Sequence, residues 1–238
     1  MIIFLKLLLA HLLGDFVLQS NKWVEHKLKN RYKSVYLYIH SILHGLLAWL
    51  FVFQTNFWPY VLVIIITHFF IDLTKLSFQN EKNQKSWFFI DQLLHIIVLG
   101  LITWAYLGFA KISIPYIPSQ LWLTLIAVVF LTTPSSVIIK MLISTWTPIV
   151  GVNDNSLQNA GKYIGILERL LIFTFIVTQH WEGIGFLIAA KSIFRFGDLQ
   201  ESKDRKMTEY ILIGTLLSFS LAIIIGLAVS ISANYITQ

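Results

Sequence analysis

The chain has 238 residues, of which 56% are hydrophobic and 13% charged, with no cysteine and a formal net charge of +6. Soluble domains carry roughly 25% charged residues, so this composition points instead to a polytopic membrane protein. The lack of cysteine excludes disulfides, thiolate metal sites, iron–sulfur clusters and cysteine nucleophiles, and the short basic stretches beside apolar runs read as topology determinants facing anionic lipid, not as a nucleic-acid surface.

Apolar runs of about 20 residues recur, the length a helix needs to cross a bilayer. In chain order they predict an all-α transmembrane bundle of about eight membrane helices, near 2–19, 35–54, 57–76, 87–109, 119–145, 161–179, 183–197 and 208–234. The first reads as a retained helix and not a signal peptide, because it lacks a basic leader and a small-x-small cleavage site and contains His11 and Asp15. The first and seventh are short enough to be partly re-entrant. A polar break from Thr145 to Lys162, holding Pro148 and Gly151, separates two four-helix halves, 1–110 and 111–238.

Basic residues orient the bundle. Lys22, Lys27, Lys29, Arg31 and Lys33 follow the first segment, Lys75, Lys82 and Lys85 the third, and Lys203, Arg205 and Lys206 join the seventh to the eighth. The connection after the second segment has no charge, and that after the fourth has only Lys111. The positive-inside rule then places both termini outside.

Four of the apolar segments carry His/Asp or His/His pairs four residues apart: His11 with Asp15, His40 with His44, His68 with Asp72, and Asp91 with His95. Residues so spaced share one helix face, about 6 Å apart along the axis. Counting from the cytoplasmic ends puts the eight at one depth, in a deeper ring of His11, His44, His68 and His95 and a shallower one of Asp15, His40, Asp72 and Asp91. Ionisable groups inside membrane helices are costly unless a partner or an ion compensates them. The pattern therefore points to a divalent metal, zinc, manganese or iron, one or two ions, held by His11, Asp15, His44, His68, Asp72, Asp91 and His95. His40, nearest the interface, is expected to be a bystander, and His26 and His180 to be solvated in loops. A metal-free His–Asp proton relay or polar packing network is the competing reading. Haem ranks lower, since two axial ligands leave three aspartates unexplained.

The second half carries Glu168-Arg169, then Lys191 and Arg195 four apart. These form either a cationic clamp for a phosphate or carboxylate headgroup, or snorkelling anchors with an ion pair between Glu168 and a basic neighbour. The run Thr132-Thr133-Pro134-Ser135-Ser136 predicts a kink whose freed backbone groups are met by hydroxyls or water.

The run His11-Leu-Leu-Gly-Asp15-Phe-Val-Leu-Gln19 with Lys22-Trp23, the HFFID run ending at Asp72, and the DQLLH run ending at His95 resemble successive blocks of domain-of-unknown-function family 3307, a membrane family of bacteria and phages. The segment from Gly165 through Glu168-Arg169 to Lys191 and Arg195 resembles a C-terminal block of its longer members. The resemblance implies a family but no activity. Histidine boxes of membrane desaturases, an HExxH box, a Walker loop, a dinucleotide fingerprint and a Gly-x-Ser-x-Gly elbow are all absent from the sequence.

The residues together predict a metal-dependent hydrolase of an amphiphilic or lipid substrate at the cytoplasmic side. Asp15 or Asp91 serves as general base, and Arg169, Lys191 and Arg195 hold an anionic headgroup. The alternative is a metal-ion or proton-coupled transporter. The apolar outer halves of the second to fourth segments argue against it, because transport needs access from both sides.

Overall fold

The computed structural model describes residues 1–109, 119–146, 155–201 and 205–236, with side chains at 1–108, 119–146, 161–193 and 209–233. Lys111, Lys203 and positions 148–154 of the polar break lie outside the described residues. All regular structure among the described residues is helical.

Helix α1 (Ile2–Leu13) continues into a π-helical turn, Gly14–Leu18, and stops at Gln19. Ser20 then accepts from Trp23 N–H and caps α2 (Asn21–Asn30), a segment expected to be a loop. The chain bends by 88° between Ile2–Leu18 and Asn21–Lys33, which lays α2 along the membrane plane if α1 crosses it. Helix α3 (Val35–Val52) ends at Phe53, whose φ of 52° turns the chain back. Pro59, in the first turn of α4 (Trp58–Phe78), occupies a position where its missing N–H costs nothing. Helix α5 (Gln84–Phe109) follows.

Two compact units emerge, Met1–Ile126 and Ala127–Gln238. In the first, α1 packs on α3 and α5, α3 on α4, and α4 on α5. Ile3, Leu7, Ala48, Val52, Phe57, Ile64, Leu99, Ile102 and Tyr106 form its apolar core. Glycine at position 45 lets α3 and α4 approach, since a Cβ there would run into Ile65. In the second unit, α7 (Thr133–Ile143), α8 (Asn155–Val177) and α10 (Arg205–Ile236) pack together, and α9 (Trp181–Glu201) lies on α8. Helix α6 (Ser119–Leu131) leads into this unit, and Leu131, Ile172, Ile176, Phe219 and Ala222 are central to its core.

The count of eight membrane helices is corrected. Among the described residues four helices are long and apolar enough to cross a membrane, or six if each of two bent pairs is one span. The first bent pair is the 88° turn into α2; the second is α6 with α7, bent by 47° at Thr132. Helix α9 interrupts its apolar run with Glu182, Lys191 and Arg195. The outward surface is rich in large apolar side chains, among them Leu50, Leu62, Ile66, Phe70, Leu93 and Trp104, as befits a protein whose solvent there is lipid.

Candidate metal centre

Along α1, α3, α4 and α5 the polar side chains of the first unit stack in tiers. The imidazoles of His11, His44, His68 and His95 form one. His44 and His68 stack with ring centroids 3.8 Å apart, His68 and His95 lie at 4.2 Å, and His11 lies 5.0 Å from His95 and 5.3 Å from His44. One helical turn away on each helix come Asp15, His40, Asp72 and Asp91. All except Asp15, which is half-buried, are fully buried. On the other side of the imidazoles is a cavity of about 10 Å³, lined by those four histidines, Thr67 and apolar residues including Leu7, Ala48, Ile64 and Leu99. That is close to the space of one water. Beyond it lies the apolar core.

Asp15 is the hub. Its Oδ1 lies 3.0 Å from His44 Nε2, 3.1 Å from His40 Nε2 and 3.8 Å from His68 Nε2. Its Oδ2 accepts from Gln92 Nε2 at 2.8 Å and lies 3.6 Å from His11 Nε2. The π-helical turn that begins at Gly14 places this carboxylate, and such turns concentrate at functional sites. Glycine is needed at 14 because a Cβ would overlap the His44 imidazole.

Three sets of ligand atoms gather within 4.8 Å of one another: Asp15, His40, His44 and His68; His11, Asp15 and His95; and His68, Asp72 and His95. Asp15 belongs to two of them, and its two oxygens face opposite sides, as a carboxylate bridging two ions would. His40 Nδ1, His68 Nε2, both nitrogens of His95 and Asp91 Oδ1 are buried without a hydrogen-bond partner, and His44 Nε2 has only Asp15 Oδ1, at 3.0 Å. Buried polar atoms are nearly always satisfied. So many orphan nitrogens converging on carboxylates fit a cation and fit a purely packed polar network poorly.

His40, the expected bystander nearest the interface, is buried with the other imidazoles. It is 1% exposed and joins the first ligand set. Counting residues from the interface missed it because α2 folds across this end of the bundle and covers it. Asp91 stands outside all three sets; its Oδ2 accepts from Lys75 at 2.9 Å and Gln92 at 3.2 Å, leaving Oδ1 3.9 Å from His95 Nδ1.

Three residues escaped the sequence reading. Lys27, taken for a loop charge, is 5% exposed on α2, with Nζ 2.9 Å from Asp72 Oδ2. Lys75 lies inside α4, not in the following loop, and pairs with Asp91. Gln92 joins Asp15 to Asp91. The spacing of Lys75, three residues after Asp72 on one face, was a usable signal. Nothing local links Lys27 to a partner 45 residues away. His26 is likewise on α2, its Nδ1 2.8 Å from Ser34 Oγ and its ring edge-on to Tyr36; His180 is exposed.

In the second unit the predicted kink is present, and its carbonyls are met as expected by hydroxyls: Thr132 on Val129, Ser135 on Phe130 and Ser136 on Thr132. Arg169, 3% exposed, completes the set. Its Nε donates to Leu131 O at 2.7 Å, Nη2 to Thr132 O and Ser136 Oγ, and Nη1 to Ser218 Oγ. Lys191 pairs with Glu168 and sits 5.0 Å over the Phe219 ring. Both cations thus have partners inside the unit. Arg195 is on α9, but its side chain lies outside the described residues.

A family model described as a protein of unknown function (DUF3307) matches residues 3–125, which hold every residue of the candidate metal centre. The match stops short of Gly165–Arg195. No curated protein and no solved structure matches the chain.

Proposed function

The chain belongs to the DUF3307 family, and from its His/Asp centre we propose an integral-membrane, metal-dependent enzyme that hydrolyses an amphiphilic or lipid substrate at the cytoplasmic side. The observation that carries this reading is Asp15 Oδ1, set among the Nε2 atoms of His40, His44 and His68, in a cluster where His68 Nε2 and both nitrogens of His95 are buried without a hydrogen-bond partner. His11, Asp15, His40, His44, His68, Asp72 and His95 supply nitrogen and oxygen ligands suited to zinc, manganese or iron, with Asp15 between two positions. A divalent ion held there would polarise a carbonyl or phosphoryl oxygen and acidify a water.

The two proposed general bases now separate. Both oxygens of Asp15 face ligands or Gln92, so it serves as a ligand, whereas Asp91 keeps Oδ1 free to accept a proton while Lys75 and Gln92 fix Oδ2. Headgroup binding is not assigned to Arg169 or Lys191, whose polar groups already have partners. With the basic stretches at 22–33 and 82–85 cytoplasmic, both termini lie on the outer side of the membrane.

The apolar core of Leu7, Val52, Phe57, Ile64, Ile102 and Tyr106 beyond the cavity favours this one-sided site over a transporter. The deciding experiment is metal analysis by plasma mass spectrometry on detergent-purified protein, beside a His68→Ala/Asp72→Ala variant. One or two equivalents, lost in the variant, are expected. A folded protein that stays metal-free after metal is supplied would turn the centre into a proton relay or packing network.

A further inference from the structure

The centre carries cations of its own. Lys27 arrives from α2 and Lys75 from α4, and they meet the carboxylate tier on the side away from the apolar cavity. Asp72 lies between them: Lys27 Nζ is 2.9 Å from its Oδ2, and Lys75 is three residues further along the same helix face. Lys75 in turn reaches Asp91 Oδ2 at 2.9 Å. The order of the belt is Lys27, Asp72, His40, Asp15, Gln92, Asp91, Lys75.

An ammonium has three N–H donors. Among the described residues each lysine uses one of them on a carboxylate, and Lys75 has besides only the Phe88 ring 5.7 Å away. Lys27 is 5% exposed and the Lys75 side chain 24%, and neither ammonium has a second carboxylate or carbonyl acceptor among the described residues. The charges point the same way. Asp15, Asp72 and Asp91 against Lys27 and Lys75 leave one net negative charge, and one divalent ion already makes the centre positive. A site with positive charge and spare N–H donors on its polar side, and apolar walls on the other, suits a multiply charged oxyanion on an apolar tail.

We propose that Lys27 and Lys75 form the anion-recognition element of this centre, and that its substrates are phosphoesters, the phosphoryl oxygens taking the spare lysine N–H groups beside the metal. The lysines act as point charges with rotatable donors, which fits a tetrahedral oxyanion better than a planar ester carbonyl. This rests on the metal-dependent hydrolase reading for its chemistry, but its ligand test is separate.

The test is binding of inorganic phosphate to the full chain in detergent, read by calorimetry, with metal content measured on the same samples. Lys27→Met and Lys75→Met are each expected to weaken phosphate binding about tenfold or more while leaving metal stoichiometry unchanged. Lys27→Arg and Lys75→Arg, which keep the charge, control for folding and are expected to retain most of the binding. Phosphatidic acid in phosphatidylcholine bicelles that displaces bound phosphate identifies a lipid phosphoester; phosphate binding that phosphatidic acid leaves untouched identifies a soluble one. Metal-loaded protein that binds neither, or Met variants that bind phosphate as the parent does, would overturn the inference and leave the metal centre standing. A metal-free protein that still binds phosphate through both lysines would remove the hydrolase and keep the anion site.

Discussion

His44 packs its imidazole so closely on Gly14 that no Cβ fits between them. The residue that starts the π-helical turn of α1 thereby fixes both the Asp15 carboxylate that follows it and the ring that Asp15 faces at 3.0 Å. Gly14→Ala should push His44 aside and weaken metal binding roughly 10–100-fold, the range for changes that disturb ligand orientation. Gly100→Ala, on α5 with nothing within 4 Å of the added carbon, is the control and should leave metal content intact. Equal metal content in both variants would remove Gly14 from the design of the centre.

His40→Ala should cost metal as heavily as His44→Ala does, because both imidazoles face Asp15 Oδ1 at 3.0–3.1 Å. His26→Ala, whose ring meets Ser34 and Tyr36 instead, should not. Metal titrations on the three variants, each at matched purity, decide the point.

Asp72→Asn should abolish metal binding and activity together. It should also destabilise the fold, since it leaves the Lys27 ammonium buried without its counter-charge, a loss of roughly 3–5 kcal/mol. Adding Lys27→Met should restore much of the thermal stability without restoring metal. Full metal stoichiometry in Asp72→Asn would take Asp72 out of the ligand set.

Arg169→Leu should lower the melting temperature with no loss of metal. The guanidinium donates to Leu131 O where the helix breaks, and a buried carbonyl left without its donor costs about 1–3 kcal/mol. Arg169→Lys should recover little, because a lysine cannot reach four acceptors in a planar fork. A metal-depleted but thermally stable Arg169→Leu protein would contradict this structural role.

The helical elements were largely legible, with boundaries near the predicted ones for α3, α4 and α5. Less legible were the breaks. The kink at Thr132 could be read from Pro134 and its hydroxyl neighbours, whereas nothing in the apolar run ending at Leu18 shows that the chain turns by 88° into α2. Hydropathy registers how apolar a stretch is, and a bend of 88° or 47° changes that very little.

For the centre, spacing placed His11, Asp15, His44, His68, Asp72, Asp91 and His95 together, and the structure gathers six of them with His40 into ligand sets. Lys27, Lys75 and Gln92 were missed because long side chains reach several ångströms from their own backbone. The residue count along a helix gives the depth of a Cα, while a lysine head settles wherever a counter-charge waits.

The sequence by itself determined the medium, the helical class and the face of each helix that bears polar groups. Composition sets the first, and the periodicity of 3.6 residues per turn fixes the rest before any helix meets another. Only the tertiary structure decided that Asp15 is the hub, that His40 belongs to the centre, that α2 covers it, and that two lysines balance its carboxylates. Those relations join residues on different helices, and which faces meet depends on packing contacts such as Gly14 against His44 and Gly45 against Ile65, which no single segment encodes.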